Sequence, residues 1–208
     1  MNNAGYGIAP TAAEESSIGQ AKHLFDTSFF GMVRMSGVVI PQMRHQGGGH
    51  IINIGYIIGL VPLPFVALYA ASKHAVEGFS EALDHELRTQ GIRVSVIVPA
   101  YTRTDFESNS QQADLPLEEY AATRSKLTAI VSQAMAKADQ PERVAEVIVK
   151  VAQSTQPKRR YTVGKLAGRL AFLRRFAAVS LLDKAVRNSL QLDDQRPPEP
   201  KGQRANGE

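Results

Sequence analysis

Two short apolar runs, separated by one helix-length segment, constrain the fold of this chain most. Residues 50–55 read His-Ile-Ile-Asn-Ile-Gly, and residues 93–98 read Arg-Val-Ser-Val-Ile-Val before Pro99. Runs that are rich in β-branched residues and bounded by glycine or proline are typical of strands buried on both faces. Residues 67–89 between them predict a helix. Because parallel strands need such a crossover, we predict an α/β fold with a parallel sheet.

The rest of the chain continues this alternation of helices and strands. Apolar residues at helical spacing predict a helix over 17–45, and later segments predict helices over 117–138, 141–154 and 165–190, with a short strand at 161–164. The polar stretch 102–116 is too long for a tight turn, and loops of this length are often functional or mobile. Residues 193–208 combine proline and charge without periodicity and predict a disordered tail.

Composition excludes several kinds of site. The chain has no cysteine, which rules out disulfides, thiolate metal sites and cysteine nucleophiles. His74 and His85 lie on the predicted helix 67–89 without a cluster of metal ligands around them, so we expect no metal site. The first residues do not resemble a signal peptide, and no apolar run is long enough to span a membrane. We therefore expect a cytoplasmic protein.

Charge is distributed unevenly along the chain. The formal net charge is +4, but residues 158–208 carry 12 Lys/Arg and 5 Asp/Glu, so the excess is confined to the C-terminal segment. A basic surface restricted to one end argues against nucleic-acid binding as the main role. Residues 158–187 interleave basic and large apolar side chains, which is compatible with contact to an anionic membrane surface or with a solvated basic face.

The pair Tyr69 and Lys73 is the sharpest chemical signal. Their spacing of four residues places them one turn apart on the same helix face. A phenol titrates near pH 10, and a neighbouring ammonium favours the phenolate, so the pair suits acid–base chemistry. Such a pair also recurs by chance in many helices. Here, however, the strand ends at Gly55 and Pro99 converge with Tyr69 on one sheet edge, where α/β proteins bind ligands.

From residue 2 to about residue 163, the chain resembles the short-chain dehydrogenase/reductase family in motif order and spacing. Asn2-Asn3-Ala4-Gly5 is similar to the turn near the cofactor's adenosine side, and Tyr69-x-x-x-Lys73 to the active-site pair. Residues 99–104 resemble the segment that contacts the nicotinamide, and the stretch after them a mobile substrate lid. The resemblance implies a Rossmann-like, doubly wound parallel sheet, NAD or NADP as cofactor, and Tyr69 as the acid–base, with Lys73 binding the nicotinamide ribose. The cofactor-binding residues that it implies are Asn3, Ala4, Gly5, Tyr69, Lys73, Pro99, Ala100, Thr102 and Thr104.

The chain departs from the family pattern at two site positions and in one larger feature. Tyr56 occupies the position of the family's serine, and Ser28 that of its helix asparagine. No part of the 208 residues matches the Gly-rich turn that cradles the pyrophosphate. We therefore expect an incomplete sheet without the family's first strands, and Met1 could be an internal start of a longer product. The expected organisation is a partial Rossmann-like domain at 1–164, a basic amphipathic helical extension at 165–192 and a disordered tail at 193–208.

Two hypotheses for function follow. The first is an NAD(P)-dependent oxidoreductase that transfers hydride on a ketone or secondary alcohol, with a lipophilic substrate suggested by the resemblance and with activity impaired by the changes at Tyr56 and Ser28. The second is a family member that has lost catalysis and is either an interaction module or a non-functional fragment. The resemblance also implies self-association through the helices at 17–45 and 67–89.

Overall fold

The computed structural model describes residues 1–192. The tail predicted at 193–208 lies outside the described residues. Within them, three strands form one parallel sheet in the order β1 (Gly49–Ile54), β2 (Ile92–Pro99) and β3 (Arg160–Val163). Residues Gly49 to Ile54 pair with Ile92 to Ile97, and Val96 to Pro99 pair with Arg160 to Val163. The predicted α/β fold with a parallel sheet is therefore confirmed.

The helices lie close to the predicted ranges. They are α1 (Ile18–Phe25), α2 (Gly31–His45), α3 (Ala67–Leu87), α4 (Ala121–Ala136), α5 (Pro141–Ala152), α6 (Gly164–Phe176) and α7 (Val179–Ser189). Local chemistry explains several of their ends. The Ser17 hydroxyl accepts a hydrogen bond from the Gln20 backbone N–H and caps α1. Gly91 has a φ of 72° and reverses the chain between α3 and β2.

The helix predicted at 17–45 is continuous but not uniform. Between α1 and α2, residues Asp26–Phe30 form a π-helical turn, in which the backbone hydrogen bonds span five residues instead of four. The helical region predicted at 165–190 consists of two helices, because the chain breaks between α6 and α7 at Ala177 and Ala178. Neither proline nor glycine marks this break, so hydrophobic periodicity did not reveal it.

Both faces of the sheet are covered. Val94, Val96 and Val98 point toward α2 and α3, where they pack with residues such as Leu83 and Val76. On the opposite face, Ile52, Ile97 and Val163 pack against α5. Strands with apolar side chains on both faces are what the unbroken apolar runs predicted. No helix in the described residues 1–192 is long and apolar enough to cross a membrane.

The segment before α1 extends the sheet by a single bridge. The Asn2 backbone N–H donates to Ile52 O, and the Ile54 N–H donates to Asn2 O, so Asn2 lies parallel to β1 at its outer edge. The Asn2 side chain also donates to Asn53 Oδ1 at 2.8 Å. These bonds position residues 3–7 at the carboxyl edge of the sheet, where β1 and β2 end.

Candidate active site

The carboxyl ends of β1 and β2 and the first turns of α3 meet around Tyr69. β1 ends at Ile54, and the extended Tyr56 precedes a 3₁₀ turn, Ile57–Gly59, that packs against α3. α3 then carries Tyr69 and Lys73 into the core, where only 8% and 7% of their surfaces are exposed. The predicted convergence of Tyr56, Tyr69 and Lys73 at this edge is therefore observed.

The Tyr69 ring lies between two other aromatic rings. Its centroid is 6.0 Å from that of Tyr56 and 5.6 Å from that of Phe106, with interplanar angles of 35° and 34°. A cavity of about 10 Å³ borders Tyr69 on the side of Ile8 and Leu68, enough for one water molecule at most. Phe106 was not predicted as a site residue; the only signal was one aromatic side chain within the polar stretch 102–116.

Burial shifts the acid–base properties of the pair. It raises the pKa of Tyr69 above its ordinary value of 10.0. Burial also lowers the pKa of Lys73 to about 8, and the nearby Glu77 carboxylate opposes this shift. Lys73 Nζ lies 5.8 Å from the Tyr69 ring centroid and donates to Ile54 O at 3.2 Å. The expectation that Lys73 would lower the pKa of Tyr69 is not met in this arrangement, because desolvation of the buried phenol dominates.

Glu77 belongs to the same buried group and was not predicted from the sequence. It lies one turn after Lys73, and Glu77 Oε2 accepts a hydrogen bond from Arg160 Nε of β3 at 2.8 Å. Its other oxygen, Oε1, is buried without a hydrogen-bond partner. Burial raises the pKa of Glu77, although Arg160 lowers it. The site therefore contains a buried lysine and a buried carboxylate, and both pKa values shift in the direction that favours the neutral form.

Ser28 lies in the π-helical turn and faces this group. Its side chain is buried, and within residues 1–192 its hydroxyl has no hydrogen-bond partner. A Cβ atom placed on Gly5 would lie 3.4 Å from Ser28 Oγ and 4.0 Å from Lys73 Nζ, so Gly5, Ser28 and Lys73 border the same space. A π turn at a predicted site position is consistent with function, because such turns are frequent at functional sites.

The predicted residues after β2 occupy the neighbouring loop. Pro99 and Ala100 are buried at the end of the strand, and the Thr102 hydroxyl donates to Ala100 O at 3.1 Å. Thr104 lies further out, where its hydroxyl accepts from the Phe106 N–H at 3.3 Å. On the other side, Asn3 and Ala4 follow Asn2 at the outer edge of β1 and are exposed. The structure thus places the predicted residues along one edge, with Gly5 nearest to Lys73.

The polar loop is attached to the segment before α1 by a buried carboxylate. Glu15 is fully buried and accepts hydrogen bonds from the Thr11 hydroxyl, the Leu117 N–H and Arg124. Ser17 donates to Asp114 from both its backbone and its hydroxyl. The contacts of Glu15 with Leu117 and Arg124 and of Ser17 with Asp114 were not predicted, because they join residues about 100 positions apart. They hold the loop that carries Phe106 beside Tyr69.

Comparison with protein families supports the resemblance. A model described as short chain dehydrogenase matches residues 1–115. An uncharacterized oxidoreductase of Schizosaccharomyces pombe is 33% identical over 164 residues, covering 79% of this chain and 69% of the relative. A 3-ketodihydrosphingosine reductase of Bacteroides thetaiotaomicron is 34% identical over 168 residues, with 80% and 62% covered. Retinol dehydrogenase 8 of Bos taurus is 34% identical over 171 residues, with 76% and 53% covered.

Solved structures give the same result for the fold. A short-chain dehydrogenase from Streptomyces avermitilis matches with a TM-score of 0.71 at 22% identity, covering 93% of this chain and 70% of that chain. The closed form of a serine dehydrogenase complexed with NADP⁺ matches with a TM-score of 0.63 at 26% identity, with 77% and 62% covered. In both comparisons, sequence and structure, part of the relative's length lies outside the match.

Proposed function

The chain belongs to the short-chain dehydrogenase family, and on that premise we propose that it is an NAD(P)-dependent oxidoreductase acting on a ketone or secondary alcohol. One observation carries the proposal. Tyr69 and Lys73 lie one turn apart at the carboxyl edge of a parallel sheet, beside Gly5 and the unpartnered hydroxyl of Ser28. In open α/β sheets this edge is where ligands bind.

The residues present fit the nicotinamide side of the cofactor. Lys73 would hold the nicotinamide ribose, with Pro99, Ala100 and Thr102 beside the ring, and Asn3 to Gly5 would lie toward the adenosine. The buried Ser28 hydroxyl and the space bounded by Gly5 and Lys73 favour a polar ligand there. On the pyrophosphate side, the 208 residues contain no Gly-rich turn. When bound, the cofactor supplies or accepts the hydride at the substrate carbon.

The chain's own groups would handle the proton. Tyr69 Oη would donate a proton to the substrate oxygen during reduction and take it back during oxidation. Lys73 would stabilise the phenolate that remains, and Ser28 could hold a water molecule that returns the proton. Tyr56, at the position of the family's serine, places an aromatic ring where the family has a short hydroxyl side chain, so we assign it no role in proton transfer.

We further propose that this activity is low in the isolated chain. Only 8% of the Tyr69 surface is exposed, and Tyr56 and Phe106 pack against its ring, so a substrate must move neighbouring side chains before it reaches the hydroxyl. Burial raises the pKa of both Tyr56 and Tyr69, which makes each a poorer proton donor. The same observations favour the second candidate, a family member without catalysis that serves as an interaction module.

A lipophilic substrate suits the lining of this edge. Ile8, Leu60, Leu63 and Leu68 belong to the same apolar cluster as Tyr69. Two relatives have names that refer to lipophilic molecules, retinol and 3-ketodihydrosphingosine. A ketone or alcohol on a long apolar skeleton would replace the aromatic contacts that Tyr69 makes with its neighbours.

Self-association through the helices at 17–45 and 67–89 also stays a proposal. Its support is the exposed apolar side chains on the first of these helices: Ile18, Phe30, Met35 and Val38 are between 47% and 71% exposed. Apolar surface of this kind is often covered by a partner. The cytoplasmic location expected from the sequence is untested.

Titration with NADH and NADPH tests the proposed function most directly. The purified 208-residue chain is titrated while the cofactor's fluorescence is followed, with Lys73→Ala as the site variant and Lys150→Ala, an exposed lysine on α5, as the matched control. Saturable binding that Lys73→Ala weakens and Lys150→Ala does not would support the oxidoreductase. A folded chain that binds neither cofactor would exclude hydride transfer by these residues alone and favour the interaction module.

A further inference from the structure

The C-terminal helices α6 and α7 expose an unusual amount of apolar surface. Phe172, Phe176, Val179 and Leu181 lie within ten residues of one another and are 63%, 66%, 74% and 64% exposed. We call these four side chains the C-terminal apolar surface. Single exposed apolar residues need no explanation, but four within ten residues of the chain, two of them aromatic rings in contact with each other, indicate an interaction site.

The aromatic rings share their helix face with basic side chains. Lys165, Arg169, Phe172 and Phe176 follow one another at spacings of four, three and four residues, so they lie on the same face of α6. The two rings are 4.8 Å apart between centroids, and the Arg175 guanidinium lies 5.5 Å from the Phe176 centroid. An apolar strip with cations along it matches the boundary between lipid acyl chains and headgroups.

The charge around this surface is almost entirely positive. The helices α6 and α7 carry six exposed Lys/Arg and a single acidic residue, Asp183; the basic residues are Lys165, Arg169, Arg174, Arg175, Lys184 and Arg187. Just before α6, by contrast, the basic residues have acidic partners. Arg159, which precedes β3, forms an ion pair with Glu81 of α3, and Arg160 of β3 forms one with Glu77. The positive field is therefore concentrated on the two helices that expose the apolar surface.

Charge also distinguishes between occupants of this surface. A two-fold contact with a second copy would place the same cations opposite one another, which is unfavourable. An anionic bilayer satisfies both features, because the cations meet lipid phosphates and the apolar side chains enter the acyl region. Both helices are too short to span a bilayer, with 13 and 11 residues, so contact would be parallel to the surface.

We propose that α6 and α7 bind the surface of an anionic membrane, with the C-terminal apolar surface inserted and the surrounding lysines and arginines on lipid phosphates. The inner side of α6 connects this surface to the candidate active site. Ala167 and Leu170 of α6 pack into the same apolar cluster as Tyr56 and Tyr69. The membrane contact itself needs neither cofactor nor catalysis, and it can be tested separately.

Vesicle sedimentation tests the proposal with the full 208-residue chain. We expect binding to phosphatidylcholine vesicles that contain about 30% phosphatidylserine, and at least about tenfold weaker binding to phosphatidylcholine alone. The double variant Arg174→Glu and Arg175→Glu should weaken binding to the anionic vesicles about tenfold or more. The double variant Phe172→Ser and Phe176→Ser should weaken it by a similar factor and remove the part of binding that persists in about 0.5 M salt.

Matched substitutions elsewhere provide the controls. Ile18→Ser with Val38→Ser removes two equally exposed apolar side chains from α1 and α2, and Lys137→Glu with Lys150→Glu reverses two exposed charges near α4 and α5. Neither control should change vesicle binding by more than about twofold. Equal binding to neutral vesicles, unchanged binding by the phenylalanine variant, or equal losses in the controls would overturn the proposal. A smaller particle in light scattering for the phenylalanine variant, without a change in vesicle binding, would identify a contact between copies instead.

Discussion

Buried charged groups near the two ends of α3 differ in how fully they are hydrogen-bonded. Near its end, Asp84 is fully buried, and its two oxygens accept hydrogen bonds from Arg88, Arg93 and the Val94 N–H, so its pKa falls to about 2. Near its start, Lys73 donates to one carbonyl, and Glu77 keeps one oxygen without a partner. Burial lowers the pKa of Lys73 and raises that of Glu77, which favours the neutral form of each. Satisfied charge at one end stabilises the fold, and unsatisfied charge at the other leaves groups available for a ligand.

The largest effect should come from the hydroxyl of Tyr69. If the site performs acid–base chemistry, Tyr69→Phe should lower kcat/KM for NADPH-dependent ketone reduction by about 100-fold or more, because general acid catalysis contributes that much. The melting temperature should change little, since the ring keeps its contacts with Tyr56 and Phe106. Tyr120→Phe is the control, because that hydroxyl bonds Glu14 at the surface. Equal activity of the two variants would remove Tyr69 from the mechanism.

Asp84→Asn should produce the largest loss of stability. The substitution removes the charge that two arginines contact, and we expect the free energy of unfolding to fall by about 2–3 kcal/mol, measured in urea. The pKa of Asp84 is about 2, below its ordinary value of 3.8, so the carboxylate stabilises the fold above pH 3.8. The difference between the two proteins should shrink as the pH falls through about 2. Asp26→Asn, at an exposed pair with Arg34, should cost much less, because solvent screens that ion pair.

The region around the start of α3 shows which features the sequence could predict and which it could not. The strands around Ile51 and Val96 were predictable because short apolar, β-branched runs bounded by glycine or proline have few alternatives in a globular chain. The four-residue spacing of Tyr69 and Lys73 also predicted that they share one helix face, because helix periodicity is a local property of the sequence. The contacts of Lys73 with Ile54 and of Glu77 with Arg160 were not predictable, because they join elements distant in sequence. The π turn at Ser28 was missed as well, since it leaves no mark in the apolar pattern.

Lys73→Met should have the opposite effect to Asp84→Asn at neutral pH. Burial lowers the pKa of Lys73 from 10.5 to about 8, so the charged lysine destabilises the fold at pH 7. We expect the methionine variant to be more stable there by about 1–2 kcal/mol, less than the full desolvation cost because Glu77 loses a favourable neighbour. Between pH 8 and 10.5 the folded protein binds fewer protons than the unfolded one, so wild-type stability rises with pH and the gap should close. A gap that is constant over this range would mean that Lys73 is not desolvated.

The smallest effects should come from substituting two buried serines, Ser80 of α3 and Ser28 of the π-helical turn. Ser80 accepts a hydrogen bond from Asn53 Nδ2 and donates to Val76 O, so Ser80→Ala should cost about 1 kcal/mol. Ser28 has no partner, and Ser28→Ala should change the free energy of unfolding by less than about 0.5 kcal/mol. A cost equal to that of Ser80→Ala would mean that Ser28 already bonds a water molecule in the free protein. In that case the contrast between the two ends of α3 would rest only on Lys73 and Glu77.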